Sequence, residues 1–475
     1  MDVARWSVGT LPDECDLAIV GGGFSGLTAL VRALQPPCRW QIVIAERHPR
    51  KGPGIAYGGC DASHLLNVPV SRMGAFPESP GAFHSWIERT RPRQFAPGDF
   101  VPRALFASYL DSVLDEALTA ACRAPSELAQ APAPMFVQDV LVRAEPLQRH
   151  VDLLFGSGAT LRVRALLMAP GLPMARAPWR NCDEDVPLIH LSPDPWSPNA
   201  LRGFAADAPV VIVGSGLTAI DIVSALRRSG HTGRITLLSR SGRLPLPHAT
   251  SAVTNAEYDT ALLARGAREA LRVVRQASGE LQERKLPWQG AIDGLRALTT
   301  PVWSSWSTQE RARFLRHIRP LWEIHRHRAP SALLDDLAIQ QREGSLVIRR
   351  GSVQALRRGR HGVIVTARSG IGPNFDLDAA RVINCAGPAQ GVRDTADPLI
   401  SSLLQDGVAT TDDLGIGLRT DAEGRLVGQD GRPHDRMWLV GALRRGDLWE
   451  STAVPELRVQ VAAAMNGIAA CLREA

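Results

Sequence analysis

The chain has 475 residues, of which 45% are apolar and 21% charged, enough material for about three units of roughly 150 residues each. No window reaches the ~18 unbroken apolar residues of a membrane span, and Met1 to Thr10 lacks the basic-then-apolar pattern of a secretory leader, so neither a membrane partner nor export is expected. The 54 basic residues exceed the 48 acidic ones by 6, but nearly all are Arg, scattered along the chain and not interleaved with aromatics, which argues against a nucleic-acid partner. The seven cysteines are odd in number and widely spaced, with no C-x-x-C. That predicts a reducing cytoplasmic setting, no metal site and no redox-active dithiol.

In chain order, Asp16 to Val20 is a short apolar run that predicts a buried strand. Gly21-Gly22-Gly23-Phe24-Ser25-Gly26 follows directly, then a helical stretch from Leu27 to Leu34 stopped by Pro36-Pro37. A second strand, Gln41 to Ala45, ends at Glu46, 20 residues after the last glycine of the loop. This is the βαβ context in which G-x-G-x-x-G becomes a strong dinucleotide signal. Gly21 permits the tight turn, Gly23 lets backbone approach a pyrophosphate, and Gly26 lets helix and strand pack closely. The N–H groups around Phe24 and Ser25 face the phosphates at the helix start. Glu46 is placed to accept from ribose hydroxyls, with Arg47 beside it.

Next come candidate supporting strands. Phe136 to Val142 offers the backbone of Val140 to an adenine, and Arg162 to Ala169 ends in Ala169-Pro170-Gly171.

The dinucleotide pattern then returns. Pro209 to Val213 reads as a strand, followed by Gly214-Ser215-Gly216-Leu217-Thr218-Ala219, a helix from Ile220 to Arg228 and a strand from Arg234 to Ser239. Gly21 to Glu46 and Gly214 to Ser239 are both 25 residues, so Ser239, followed by Arg240, occupies the place of the acid. A carboxylate there repels a ribose 2′-phosphate, whereas Ser and Arg receive it. The alternative for Arg240 is a solvated loop charge. An acid in the first loop and an Arg in the second imply FAD in the first site and NADPH in the second.

Residues 255–330 read as a helical insertion, with Leu263, Ala267, Ala270, Leu271 and Val274 at helical spacing. Ser307 to Glu310 forms a capping box, and Pro320 should kink or end its helix. Arg326 and Arg328 are candidates for NADPH phosphates, and His317, His325 and His327 lack a metal-ligand pattern. Arg381 to Ala386 ends in Gly387, Met437 to Val440 ends in Gly441, and Thr452 to Ala464 reads as a helix. Its start, at Thr452 and Ala453, is a candidate contact for the flavin edge, where a helix N-terminus favours negative charge.

These features resemble the flavoproteins with two dinucleotide-binding domains, which include the class B monooxygenases. More closely, the chain is similar to the bacterial FAD/NAD(P)-binding protein family. The matching strings are Gly54-Ile-Ala-Tyr57, His64-Leu-Leu-Asn-Val-Pro69 with Met73, Arg316 to Trp322 with His325 to Arg328, Asn384 to Pro388, and Glu450 to Arg458. A looser likeness is to the amine N-hydroxylases of siderophore biosynthesis, carried by Pro102-Arg103-Ala-Leu-Phe106-Ala-Ser-Tyr109. The resemblance implies that Asn67, Pro69, Met73 and Arg103 lie near the flavin ring, with Tyr57 in the cofactor set and Asn67 and Arg103 as catalytic candidates. For Met73 core packing remains the alternative. His190 and Trp196 stand where Baeyer–Villiger enzymes carry a signature string, but the string itself is absent, and His190 reads as structural.

The expected fold is α/β, with two Rossmann-like domains: an FAD domain in two parts (13–175 and 376–475) and an NADPH domain inserted at 176–375. With no dithiol and no iron–sulfur motif, molecular oxygen is the remaining common electron acceptor. The leading expectation is a single-component monooxygenase acting on a small-molecule substrate, with N-hydroxylation of a small amine or amino acid as its specific form. An oxygen-independent NADPH-dependent flavin reductase and a non-enzymatic flavin-binding protein stay open, as does a homo-oligomer.

Overall fold

The computed structural model describes residues 11–35, 39–48, 53–123, 132–171, 177–179, 181–197, 199–370, 372–387, 391–393 and 395–473. Pro36, Pro37, Cys38 and Pro388 lie outside them. Contacts group the chain into two compact units, one of Met1–Cys60, Val68–Pro173 and Gln390–Ala475, the other of Asp61–Asn67 and Met174–Ala389.

The first unit is built on an eight-stranded sheet with the order Arg425–Val427, Pro433–Leu439, Thr160–Met168, Glu14–Val20, Ile42–Glu46, Met135–Gln138; Leu141–Pro146 and Val151–Phe155 join through Thr160–Met168. From Pro433–Leu439 to Met135–Gln138 the pairings are parallel. Parallel sheets are covered on both faces, so the central strand is apolar and buried without alternation from Leu17 to Val20. Leu17 and Ile19 enter a core with Leu27, Leu30, Leu114 and Ile468 from three helices. Ala18 and Val20, on the other face, pack with Leu153, Leu399 and Leu403.

The second unit repeats the plan. Its main sheet runs Phe375–Ala379, Val363–Ser369, Leu346–Arg358, Ile235–Ser239, Val210–Val213, Arg381–Asn384, Leu191–Ser192. Val210 and Ile212 face a core with Ile220, Val223 and Leu337, while Val211 and Val213 face one with Leu238, Val365 and Val382. No helix among the described residues is long and apolar enough to cross a membrane.

Several local expectations change. Phe136 to Val142 is not one strand: the chain breaks at Asp139, whose carboxylate accepts from Val140 N at 2.7 Å, and Leu141–Pro146 then turns into an antiparallel hairpin. Arg381–Asn384 was expected beyond a boundary at 375, yet it pairs in parallel with Val210–Val213, and the return to the first unit falls near residue 390. The last helix is Val454–Arg473, so Thr452 and Ala453 precede it; Ala453 O accepts from Glu456 N and Leu457 N at 3.0 and 2.9 Å.

The helical insertion shows how tertiary contacts redirect a local motif. Gly266, at φ +134°, divides the periodic run into Thr260–Ala264 and Ala267–Glu283. Ser307 Oγ accepts from Glu310 N at 3.3 Å, one half of the capping box. The Glu310 carboxylate, however, accepts from Ala267 N at 2.9 Å and so caps the other helix; its partner Arg313 holds the second oxygen. Pro320 falls in the first turn of Arg319–Arg326, just after a π-helical turn, Phe314–Ile318, that absorbs the change of direction. Glu310→Ala removes a charged N-cap, and amide exchange at Ala267 to Glu269 is expected to rise about tenfold. Exchange unchanged in that turn contradicts this account of the cap.

Candidate functional sites

Each unit carries one glycine loop, at the C-terminal end of its sheet. In the first, Gly21 takes φ +105°, and a Cβ there would sit 2.2 Å from the Ala169 carbonyl oxygen. The turn is fixed by its neighbours: Gly21 N donates to Ala45 O at 2.8 Å, and Ala169 N donates to Val20 O at 2.7 Å. A Cβ on Gly26 would lie 1.8 Å from Gly21 O, and one on Gly54 would lie 2.8 Å from Gly23 Cα. Backbone therefore packs on backbone on both sides of the loop. The helix Phe24–Ala33 begins with no side-chain cap, leaving its first N–H groups for an anion.

Glu46 ends its strand beside this loop. Its carboxylate accepts from Gly22 N at 2.7 Å and from His48 N at 3.1 Å, which orients it and leaves lone pairs for hydroxyl donors. Arg47 turns away to an ion pair of 2.7 Å with buried Asp397, itself the N-cap of Pro398–Gln405. Phe24 is buried against Phe106, so it offers the loop only its backbone. Ser25 is half-buried. The Tyr57 ring meets Phe106 edge-on at 4.8 Å, and burial pushes its hydroxyl up to about 12 against the opposing pull of Arg103. Arg103 and Tyr57 thus share one neighbourhood, although 46 positions separate them in the sequence.

The remaining residues of the first set are placed as follows. Val140 O accepts from Gly156 N at 2.7 Å, so both backbone polar groups of Val140 have protein partners. Ala169, Pro170 and Gly171 close the strand beside Gly21. Gly441 N donates to Gln460 Oε1 at 2.9 Å, a clamp from the last helix that no local pattern announces. Met73 is a buried core side chain, and Pro69 caps a short 3₁₀ turn in the same unit. Thr452 is exposed. Asn67 belongs to the second unit, where its carbonyl oxygen lies 3.1 Å from His248 Nε2.

The second loop reproduces the first. Gly214 takes φ +123°, Gly214 N donates to Leu238 O at 2.8 Å, and a Cβ would sit 2.1 Å from Cys385 O. Gly387 follows Cys385 as Gly171 follows Ala169. Gly216 starts the Leu217–Arg228 helix, again without a side-chain cap; Leu217 and Thr218 are half-buried. Ala219, in place of a third glycine, is fully buried, so this turn has room for a methyl group. Ser215 Oγ donates to Arg243 O at 2.6 Å and lies 2.8 Å from Ser239 Oγ, which accepts from Gly242 N at 3.0 Å. Ser239 thus shapes the turn after its strand, and Arg240 is exposed.

Arg328 is not free for a phosphate: it is buried and pairs with Asp293. His190 Nδ1 lies 2.8 Å from Ala380 O, a structural contact, and Trp196 stacks edge-on against His64 at 5.6 Å. His325 Nδ1 lies 2.7 Å from Leu321 O and His327 lies 3.3 Å from Glu323. Among the described residues no group of three His, Cys, Asp or Glu is placed to hold a metal.

Residues 18–173 match the family model described as FAD-NAD(P)-binding. No curated protein matches the chain. Among solved structures it is similar to an ornithine N-hydroxylase of Kutzneria sp. 744 described with reduced FAD, NADP+ and L-ornithine (TM-score 0.64, 16% identity, 97% of this chain and 100% of that one). It is likewise similar to the reduced form of an ornithine hydroxylase of Pseudomonas aeruginosa (TM-score 0.64, 15% identity, 96% and 99%). A bacillithiol disulfide reductase of Staphylococcus aureus follows at TM-score 0.56 and 11% identity, covering 97% and 99%. These likenesses establish the fold of two Rossmann-like domains.

One titration follows from the second unit. Burial, reinforced by the Arg328 guanidinium, pushes His248 down to about 4. In the folded chain the ring stays neutral while an unfolded histidine takes up a proton near 6.5. The unfolded state therefore binds more protons between those values, and stability falls as pH drops from about 6.5 to 4, by a magnitude of order 2 kcal/mol. Thermal unfolding across that range should show the loss, and His248→Gln should flatten it.

Proposed function

We propose that the chain is an FAD-containing, NADPH-dependent monooxygenase that hydroxylates the nitrogen of a small amine or amino acid. One observation carries the reading: each unit holds a glycine loop whose first glycine leaves no room for a Cβ against the neighbouring strand's carbonyl, with a carboxylate after the second strand in the first and arginines in the second. The first cradle fits a resident dinucleotide. The Gly21–Gly26 loop and the uncapped helix start receive its pyrophosphate, and Glu46 accepts from ribose hydroxyls. Gly441, held by Gln460, lines the same end of the sheet. The second cradle fits a phosphorylated nicotinamide donor, with Arg240 toward its 2′-phosphate.

A flavin held by the first cradle would supply the redox chemistry that links a nicotinamide donor to oxygen. The protein binds and orients both groups and keeps water from the reacting edge. Arg103, whose charge opposes the upward push of burial on Tyr57, is the candidate for holding charge near the ring, and Asn67 is the second catalytic candidate. The similarity to ornithine N-hydroxylases over nearly the whole of both chains supports an amine as substrate and oxygen as co-substrate.

The disulfide-reductase likeness is disfavoured by the cysteines. There is no C-x-x-C, and the thiol of Cys15 is pushed up to about 12 by burial, as Cys385 is pushed up by its own burial. Such thiols are inert as nucleophiles.

The test is an anaerobic and an aerobic turnover with NADPH and a panel of amines and amino acids. Product hydroxylamine formed one-to-one with NADPH only in the presence of oxygen is the expected result. All oxygen recovered as peroxide with every amine, or sustained turnover without oxygen, removes the monooxygenase reading. Gly26→Ala drives a methyl group into Gly21 O, and the purified variant should lack flavin absorbance; full flavin content in that variant contradicts the assignment of the first cradle.

A further inference from the structure

The second cradle is expected to distinguish NADPH from NADH through Ser239 and Arg240, but the structure uses Ser239 otherwise. Its hydroxyl accepts from Gly242 N and lies 2.8 Å from Ser215 Oγ, so it is taken up in fixing the turn. Ser215 Oγ, bound to Arg243 O at 2.6 Å, ties the far end of the same turn to the glycine loop. The five-residue turn Ser239-Arg240-Ser241-Gly242-Arg243 is thereby held against the cradle before any ligand arrives.

The turn passes over a third arginine from a distant part of the sequence. Leu346–Arg358 pairs in parallel with Ile235–Ser239, and the register sets Arg350 directly beside Ser239. Aligned residues of neighbouring parallel strands project to the same face. A Cβ on Gly242 would lie 3.1 Å from Arg350 Cβ, and one on Gly370 would lie 3.0 Å from Arg350 Nε, so the side chain runs between two glycines that leave it room. Arg240, Arg243 and Arg350 are all exposed, and none forms an ion pair with a described residue. The adjacent Arg349 is already placed over the Phe375 ring at 4.5 Å.

We infer that Arg350, together with Arg240 and Arg243, forms the clamp that recognises the ribose 2′-phosphate, and that Ser215 and Ser239 position the clamp rather than bind the phosphate. The inference rests on the proposal that the second cradle takes NADPH. A dianionic phosphate is the ligand chemistry that suits exposed guanidinium groups on one turn and on the strand beside it, each able to donate two parallel hydrogen bonds.

The test is direct binding, read by calorimetry on the full chain with 2′,5′-ADP and with 5′-AMP, which differ only in the 2′-phosphate. Wild-type protein should prefer 2′,5′-ADP. Arg350→Ala should weaken 2′,5′-ADP about tenfold while leaving 5′-AMP within about twofold, since one charge-assisted contact is lost. Arg350→Lys should recover part of the loss, because it keeps the charge but not the fork. Arg349→Ala serves as the neighbouring control and should change neither. An unchanged preference in Arg350→Ala, or an equal loss for both ligands, overturns the role of Arg350 while leaving the NADPH reading intact. A wild-type protein without preference between the two ligands overturns the NADPH reading itself.

Discussion

The contact on which both units depend is the approach of a glycine to the carbonyl at the end of the next parallel strand. At Gly21 the partner is Ala169 O and at Gly214 it is Cys385 O, and in each case a Cβ would lie within 2.2 Å of that oxygen. The positive φ and the missing side chain are both required, because the chain must reverse from strand to helix while the neighbouring strand ends beside it. The consequence is a helix whose first turn opens toward the space beyond the sheet, with backbone N–H groups and no side chain competing for them. Everything read as ligand binding follows from that geometry.

Arginine divides into two populations around this frame. Some guanidinium groups are spent on the fold. Arg381 is buried over Phe204 and donates to Ser192 Oγ and Asn199 O, each at 3.2 Å, while Arg47 holds Asp397 and Arg328 holds Asp293. A buried guanidinium calls for carbonyls or a carboxylate, and each of these three has at least one such partner. Others, at 240, 243 and 350, remain exposed at the end of the second unit's sheet. Composition alone does not separate these groups, since an excess of 6 positive charges says nothing about which arginines are already paired.

Both glycine loops were legible because their function is local. Spacing of 25 residues from first glycine to the end of the second strand is set by one helix and one return, and any chain building that unit must respect it. Apolar runs without alternation likewise announced strands buried on both faces. What escaped was whatever joins distant segments. Gln460 on Gly441, Asp397 on Arg47 and Glu310 on Ala267 are contacts between elements whose separation in sequence carries no periodicity. The expected strand through Val140 failed for a related reason: Asp139 satisfies the backbone of its neighbour and ends the ladder, a local competition that hydrophobicity does not register. Ser239 ends its strand, where the spacing puts it, and its hydroxyl belongs to a turn whose partner Ser215 is 24 positions away.

The order of residues by itself determined the α/β class, the two dinucleotide loops and the contrast between Glu46 and Ser239-Arg240, because each depends on short-range steric and charge requirements of one βαβ segment. Only the tertiary structure decided which side chains remain for a ligand once the fold has used the rest. It brought Arg350 beside Ser239, packed Tyr57 against Phe106, and withdrew Arg328 and Arg47 into ion pairs. The physical reason is that a strand register or an ion pair selects its partner by proximity in space, and parallel sheets bring together residues more than a hundred positions apart.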